Sequence, residues 1–125
     1  MQNLVSKKEE EERRLKALAE YRILGTKPES CYDDITKIAA TTCNVPISLM
    51  TLVDKDKQWF KSKIGLQISE TRRDWSFCTH AIKENSPLII HDAFQDERFI
   101  NNPLVTGDPK IRFYAGFPLR NSDGN

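Results

Sequence analysis

The sequence predicts an α+β fold, an antiparallel central sheet flanked by helices. Three observations lead there. A stretch with helical period, residues 30–43, runs into two β-rich stretches, 47–53 and 58–64, that are joined only by a short polar turn. Residues 111–119 alternate along the chain between apolar and more polar positions, the two-residue period of a strand. No strand–helix–strand unit repeats, so a parallel, doubly wound sheet is excluded.

The 125 residues are enough for one domain with one core. With 19 basic and 18 acidic residues the formal charge is +1, which offers no field for gathering nucleic acid or anionic lipid. The first fourteen residues are polar and charged, unlike a signal peptide, and no apolar run nears the roughly 18 residues of a membrane span. Cys31, Cys43 and Cys78 are an odd number at wide spacing, matching neither a disulfide framework nor a zinc ligand set. A reducing, cytoplasmic setting is the expectation.

Residues 6–22 read as a helix whose first half is almost all charge. Glu9 with Arg13, Glu10 with Arg14 and Glu12 with Lys16 are pairs at the favourable i,i+4 polarity, together worth about 1 kcal/mol. Leu15, Leu18 and Ala19, with Ala17, Tyr21 and Leu24, supply an apolar face for the domain or for a second copy. Gly25 is the expected C-terminal cap, and Pro28 prevents resumption. A second helix starts at Ser30 or Asp33, turns Ile35, Ile38, Ala39 and Thr42 toward the sheet, and stops at Asn44 and Pro46.

Residues 47–53 show little alternation, which predicts a strand buried on both faces at the sheet centre. Residues 54–57 form the turn, and 58–64 return as the second strand of a hairpin, ending at Gly65. Residues 71–74 are an irregular approach to a short helix, 77–83, with Ser76 as N-cap and Asn85-Ser86-Pro87 as its end. Residues 88–91 form a brief strand. In the long connection 92–107, Asp96 caps a turn holding Arg98 and Phe99, and Asn101-Asn102-Pro103 breaks it; a connection of that length is uncommon unless it packs or binds something. In 111–119 the apolar face is Ile111, Phe113, Ala115, Phe117 and Leu119, and the other carries Arg112, Tyr114, Gly116 and Pro118. Gly116 marks a close approach by backbone or ligand. Asn121 to Gly124 is a hairpin turn signal with no strand after it, so the domain is expected to be incomplete at its C-terminus.

Chemistry concentrates in thirteen residues, Glu70 to Ile82: a mixed-charge cluster, a tryptophan, a cysteine and a histidine. A Cys78–His80 dyad fails on helix geometry, since residues two apart point away from one another. Cys78, Ala81 and Ile82 are expected on the inward face, with Cys78 as a small, unreactive apolar side chain and His80 flanking it. Arg72, Arg73 and Asp74 read as a solvated loop pinned by one internal salt bridge, with anion binding as the sharper reading. No glycine-rich phosphate loop is present, and the two histidines stand too far apart in sequence for a metal pair.

ETRRDWSFCTHAI closely resembles the segment that marks one large group of bacterial GAF domains. The resemblance continues through EYRILGTKPESCYDDITKIAATTCNVPISLMTLVDKDKQWFKSKIGL before it and PLIIHDAFQDERFINNPLVTGDPKIRFYAGFPL after it, from about residue 17 to 119. It implies a GAF/PAS-like sheet whose last strands and closing helix are missing, with residues 1–24 as an N-terminal signalling or linker helix and 25–125 as the domain. It also implies that the long connection folds over one sheet face as a lid. A small-molecule pocket would lie between the sheet and the helix near residues 76–85. The residues expected to touch a ligand are Trp75, Phe77, Cys78, His80, Ala81, Arg112 and Tyr114, with no catalytic residue, no metal and no evident cofactor beyond that ligand.

Such domains control a histidine kinase or diguanylate cyclase in the same polypeptide and pair as homodimers, here through the N-terminal helix. A sensory module is therefore the leading reading. The structural alternative is a dimerising spacer with a filled core. A weaker one is a free methionine sulfoxide reductase, disfavoured because Cys31 and Cys43, twelve apart on one helix, stand about 18 Å from one another. A bilin chromophore is disfavoured because Thr79 separates Cys78 from His80.

Overall fold

The computed structural model describes residues 6–125; the start of the expected leader, residues 1–5, lies outside the described residues. Helix α1 (Lys7–Glu20) begins with a capping box. The Ser6 hydroxyl accepts from the Glu9 amide at 3.2 Å, and the Glu9 carboxylate accepts from the Ser6 amide at 3.0 Å. The ion pairs differ from those expected. Lys8 faces Glu12, and Arg14 grips Glu11 instead of Glu10, because Arg14 turns inward to donate to the Val53 carbonyl at 2.5 Å. The helix ends at Tyr21 with Arg22 in the left-handed region (φ 50°), so Gly25 shapes the following turn and caps nothing.

Helix α2 (Ser30–Cys43) ends at Asn44, whose φ of 52° is the left-handed cap that asparagine tolerates. Its inward face is rotated from the expected one. Thr36 is buried and Tyr32 and Ala40 are half-buried, whereas Ile35 and Ile38 are 54% and 64% exposed. The reason is polar. Thr36 Oγ1 lies 2.7 Å from Ser62 Oγ, which donates to Asp33 Oδ1 at 2.6 Å, and this chain of hydrogen bonds holds the 33/36 side of the helix on the sheet.

Strands β1 (Ser48–Val53), β2 (Lys57–Ile64) and β3 (Glu70–Arg72) form one antiparallel sheet in the order β1-β2-β3. The hairpin is as expected, but β1 is an edge and β2 the centre. β3, read as an irregular approach, pairs Arg72, Thr71 and Glu70 with Lys57, Gln58 and Trp59. Met50 pairs with Ser62 and Thr51 with Phe60, so Lys61 is an extra residue in a bulge. The bulge lets consecutive side chains act on one side, Ser62 reaching α2 and Lys61 the residues just before it. Gly65 follows with φ 85°, where an added Cβ would sit 2.1 Å from the Pro46 carbonyl oxygen.

A 3-10 turn (Arg73–Trp75) leads to helix α3 (Cys78–Ala81), and the Ser76 hydroxyl accepts from the Thr79 amide as a cap should, at 3.3 Å. β4 (Leu88–Ile90) pairs antiparallel with β5 (Tyr114–Gly116) in a separate two-stranded sheet. Between them, Asn101-Asn102-Pro103 ends the turn at Arg98 as expected and also starts a helix: α4 (Pro103–Thr106) has proline in its first turn, and Asn102 accepts from the Leu104 amide at 2.9 Å. The long connection does pack. Ala93, Phe99 and Val105 are its contribution to a core shared with Phe77 and Ile90.

Ile111 packs on the core from the apolar face of 111–119, but from Phe113 on the alternation is inverted. Phe113, Phe117 and Leu119 are 54%, 67% and 76% exposed, while Tyr114 packs on the core. A one-residue change of face does this, and it is set by the Tyr114 ring joining Phe77. The regular strand covers three residues, and among the described residues β5 pairs with β4 alone.

Candidate functional site

The site is built where α3 crosses between the two sheets. Phe77 is buried and stacks on Phe99, with centroids 4.2 Å apart and planes 14° from parallel; Tyr114 lies against it at 5.1 Å. His80 meets the edge of Phe99 at 5.0 Å. Burial lowers the imidazole pKa from its ordinary value, helped by the nearby Lys83 and Arg98 cations. Ala81 is buried beneath the helix.

Cys78 is not the apolar side chain the sequence suggested. Its sulfur lies 3.2 Å from the Tyr114 hydroxyl and accepts from Gln58 Nε2 at 3.7 Å. Burial, and then the neighbouring thiol, push the Tyr114 phenol far above its ordinary pKa. Gln58 is 5% exposed and stands opposite Thr71 on β3 and Val53 on β1, so all three share the face that looks toward α3. Thr71 is 8% exposed, and its hydroxyl is the one buried side-chain oxygen or nitrogen without a partner among the described residues. A row of four polar groups, buried Thr71 and Gln58 and half-buried Cys78 and Tyr114, thus runs beside α3. A buried hydroxyl left without a partner costs about 1–3 kcal/mol, so Thr71 requires an account.

Gly116 carries the close approach that its place in the strand suggested, made by the protein itself. An added Cβ would sit 2.1 Å from the Tyr114 hydroxyl, so the missing side chain is what lets the phenol reach Cys78. Of the seven expected contacts, Phe77, Cys78, His80, Ala81 and Tyr114 share this neighbourhood. Trp75 is half-buried beside it, under the Arg72 guanidinium at 5.6 Å, with its carbonyl accepting from Asn102 Nδ2 at 2.9 Å. Arg112 points elsewhere, donating to the Val105 carbonyl at 3.0 Å and lying over the Phe94 ring. Cys78 and His80 have different partners, as helix geometry required.

The mixed charges of 72–74 divide their work. Arg72 and Asp74 form an exposed pair at 2.7 Å, the internal salt bridge expected. Arg73 instead reaches α1: its guanidinium donates to Glu11 Oε1 and to the Asp54 and Lys55 carbonyls at 3.2 and 3.3 Å. Hydrogen bonds from Arg14 and then Arg73 hold the Glu11 carboxyl at about 2, against an ordinary 4.5.

A second cluster escaped the sequence reading. Lys61 has a wholly buried side chain whose ammonium donates to Thr26 Oγ1 and the Lys27 carbonyl, both at 2.7 Å, and pairs with Glu29 at 2.6 Å. The Tyr32 ring lies 5.5 Å away. A lysine in the middle of a β-rich stretch was the available signal. These groups border an open cleft between α2 and β2, and Asp33, Thr36, Lys61 and Ser62 all find partners inside the protein, which makes the cluster a tether for residues 26–29. Cys31 and Cys43 on α2 are exposed and free. Among the described residues no three His, Cys, Asp or Glu side chains gather as a metal site, and no helix is long and apolar enough to cross a membrane.

Comparison with known proteins agrees with this architecture. A cyclic di-GMP phosphodiesterase of Pseudomonas aeruginosa is 37% identical over 116 residues, which take in 93% of this chain but 20% of that protein. The chain therefore spans about a fifth of the length of the curated relative it matches. Residues 27–125 match the GAF domain. With an α+β architecture of antiparallel sheets and helices and a family match over most of its length, the chain belongs to the GAF domain family.

Proposed function

We propose that this chain is the non-catalytic regulatory module of a bacterial signalling protein, taking a small ligand beside α3 and controlling an effector domain in the same polypeptide. The observation that carries the reading is the polar row beside α3, with its unpartnered Thr71 hydroxyl. A core with only a structural role gains nothing from an unpartnered Thr71 hydroxyl beside the Gln58 amide, the Cys78 thiol and the Tyr114 phenol. Those four groups can offer hydrogen bonds to a small polar molecule, with Phe77, Ala81, His80 and Trp75 as apolar walls. Arg112 joins the ligand contacts only if it leaves Phe94. Because the relative is a cyclic di-GMP phosphodiesterase, we assign turnover of that nucleotide as the output, by a phosphodiesterase or a diguanylate cyclase, ahead of a histidine kinase. Pairing of two copies through α1 belongs to the same proposal. Leu15 and Leu18 are half-buried and Tyr21 is exposed, which makes a short seam.

Native mass spectrometry of the purified chain tests the ligand. A bound small molecule that is lost in Gln58→Leu and Thr71→Val, both keeping side-chain shape, supports sensing. A bare chain, with effector output unchanged by the two substitutions in the parent polypeptide, overturns it. The second reading, a dimerising spacer, is favoured by the Phe77–Phe99–Tyr114 stack, which fills much of the space beneath α3. Sedimentation of the chain with and without residues 1–14 tests the α1 pairing.

A further inference from the structure

Arg73 bonds to three separate parts of the site's surroundings. Its guanidinium holds Glu11 on α1 and the Asp54 and Lys55 carbonyls at the end of the β1–β2 hairpin. Its own carbonyl accepts from the Ser76 amide and the Thr79 hydroxyl, both at 3.0 Å, and so fixes where α3 begins. Its amide donates to the Asp56 carbonyl at 3.1 Å. Glu11 in turn is clasped by Arg14 through two hydrogen bonds, 2.9 and 2.8 Å, and Arg14 donates to Val53, the strand residue opposite Gln58. Hydrogen bonds therefore run from the start of α3 to the leader helix, and those from Arg73 and Arg14 to Glu11 join partly buried groups.

We propose that Arg73 is a latch coupling the α3 segment to α1: the guanidinium grips Glu11 only while residues 73–79 keep their present position, and a displacement of α3 frees the leader helix. The inference deepens the regulatory reading above, since it supplies the route by which an event at the polar row would reach an effector. Geometry makes the route discrete. A backbone shift at residue 73 moves both ends of the same residue, breaking the bonds to Ser76 and Thr79 and those to Glu11 together. α1 has no fully buried side chain of its own. Its hold on the domain depends on the Glu11–Arg14–Arg73 cluster and on half-buried Leu15, Ala17 and Leu18, so losing the latch leaves it weakly held. Coupling of this kind is reciprocal: perturbing α1 must loosen α3 by the same factor as perturbing α3 loosens α1.

Hydrogen exchange of the ligand-free full chain, read by mass spectrometry, tests this in Glu11→Gln, Arg73→Gln and the double variant. Each single variant is expected to speed exchange about five- to tenfold in α1 and also in residues 76–84, with α2 as the unchanged internal reference. The double variant is expected to match the singles, because one latch can be opened only once. Glu11→Gln is the decisive variant: it is on the helix surface and leaves the core intact, so a change confined to α1, with 76–84 unaltered, overturns the latch. Multiplying effects in the double variant overturn it as well. Since no ligand is added, a chain that proves bare by mass spectrometry refutes the ligand while leaving this coupling to be judged on its own data.

Discussion

Tyr114 folds its phenol back over Gly116, in space that a single added methyl would occupy to within 2.1 Å of the hydroxyl. Gly116→Ala must therefore swing the phenol away from Cys78. Labelling with a thiol reagent should find exposed Cys31 and Cys43 reacting first and half-buried Cys78 slowly in the native chain, because the Tyr114 and Gln58 contacts limit access. Gly116→Ala should speed Cys78 several-fold while costing about 1–3 kcal/mol, since ring atoms of Tyr114 that pack on Phe77 must shift with the hydroxyl. An unchanged Cys78 rate would mean that the phenol does not guard the thiol.

The Glu11 carboxyl has a folded-state pKa of about 2 against an ordinary 4.5, held down first by Arg14 and then by Arg73. A depressed acid contributes stability that is complete above its unfolded value and is lost as pH falls through the folded one. Undocking of α1 should therefore set in below about pH 4.5 and be complete near pH 2. The cluster is partly exposed, so solvent screening limits the effect to about 1 kcal/mol or less. Glu11→Gln should remove that acid dependence from urea melts between these pH values.

His80 and Tyr114 move stability in opposite pH directions. With its pKa lowered by burial, His80 contributes stability that is present above the ordinary 6.5 and falls as the imidazole is forced to charge. Its nuclear magnetic resonance titration midpoint should lie below that value. Tyr114, raised by burial and then by Cys78, contributes below the ordinary value near 10 and loses its contribution as pH rises past it. Its tyrosinate absorbance should appear only as the chain unfolds in alkali.

Lys61→Ala should destabilise the chain by about 2 kcal/mol. It strips one donor from Thr26 Oγ1, the Lys27 carbonyl and Glu29 at once, and residues 26–29 should then exchange amide hydrogens faster. Wild-type exchange there would show that the buried ammonium is no tether.

Phe117, with buried Phe99 as a reference, tests which face of 111–119 is inside. Phe99→Ala removes a fully buried ring stacked on Phe77 and should cost about 3–4 kcal/mol. Phe117→Ala, at a position the alternation alone would have placed inside, should cost under about 0.5 kcal/mol. Equal costs in thermal melts would restore the sequence-based face.

Local chemistry was sufficient for much of the fold. Asn44 as a left-handed cap, the 54–57 turn, Ser76 ahead of α3 and Asp96 capping the turn at Arg98 are all short-range effects, decided within a few residues by caps and turns. The α+β class followed from the hairpin and the periods, and the GAF family from the residues around Trp75-Ser76-Phe77-Cys78. Tertiary structure decided which faces are inside. Apolar periodicity put Ile35 and Ile38 against the sheet, but the Asp33–Ser62–Thr36 hydrogen bonds turned α2 the other way. Alternation put Phe113 and Phe117 inside, but one ring, Tyr114, finding Phe77 and the space over Gly116 reversed it. β1 could be recognised as a strand but not as an edge, because strand order arises from pairings between distant residues. For the same reason the polar row, the buried Lys61 and the Arg73–Glu11 link were hidden: each joins residues 20 to 62 positions apart, and only a folded chain brings such groups within hydrogen-bonding distance.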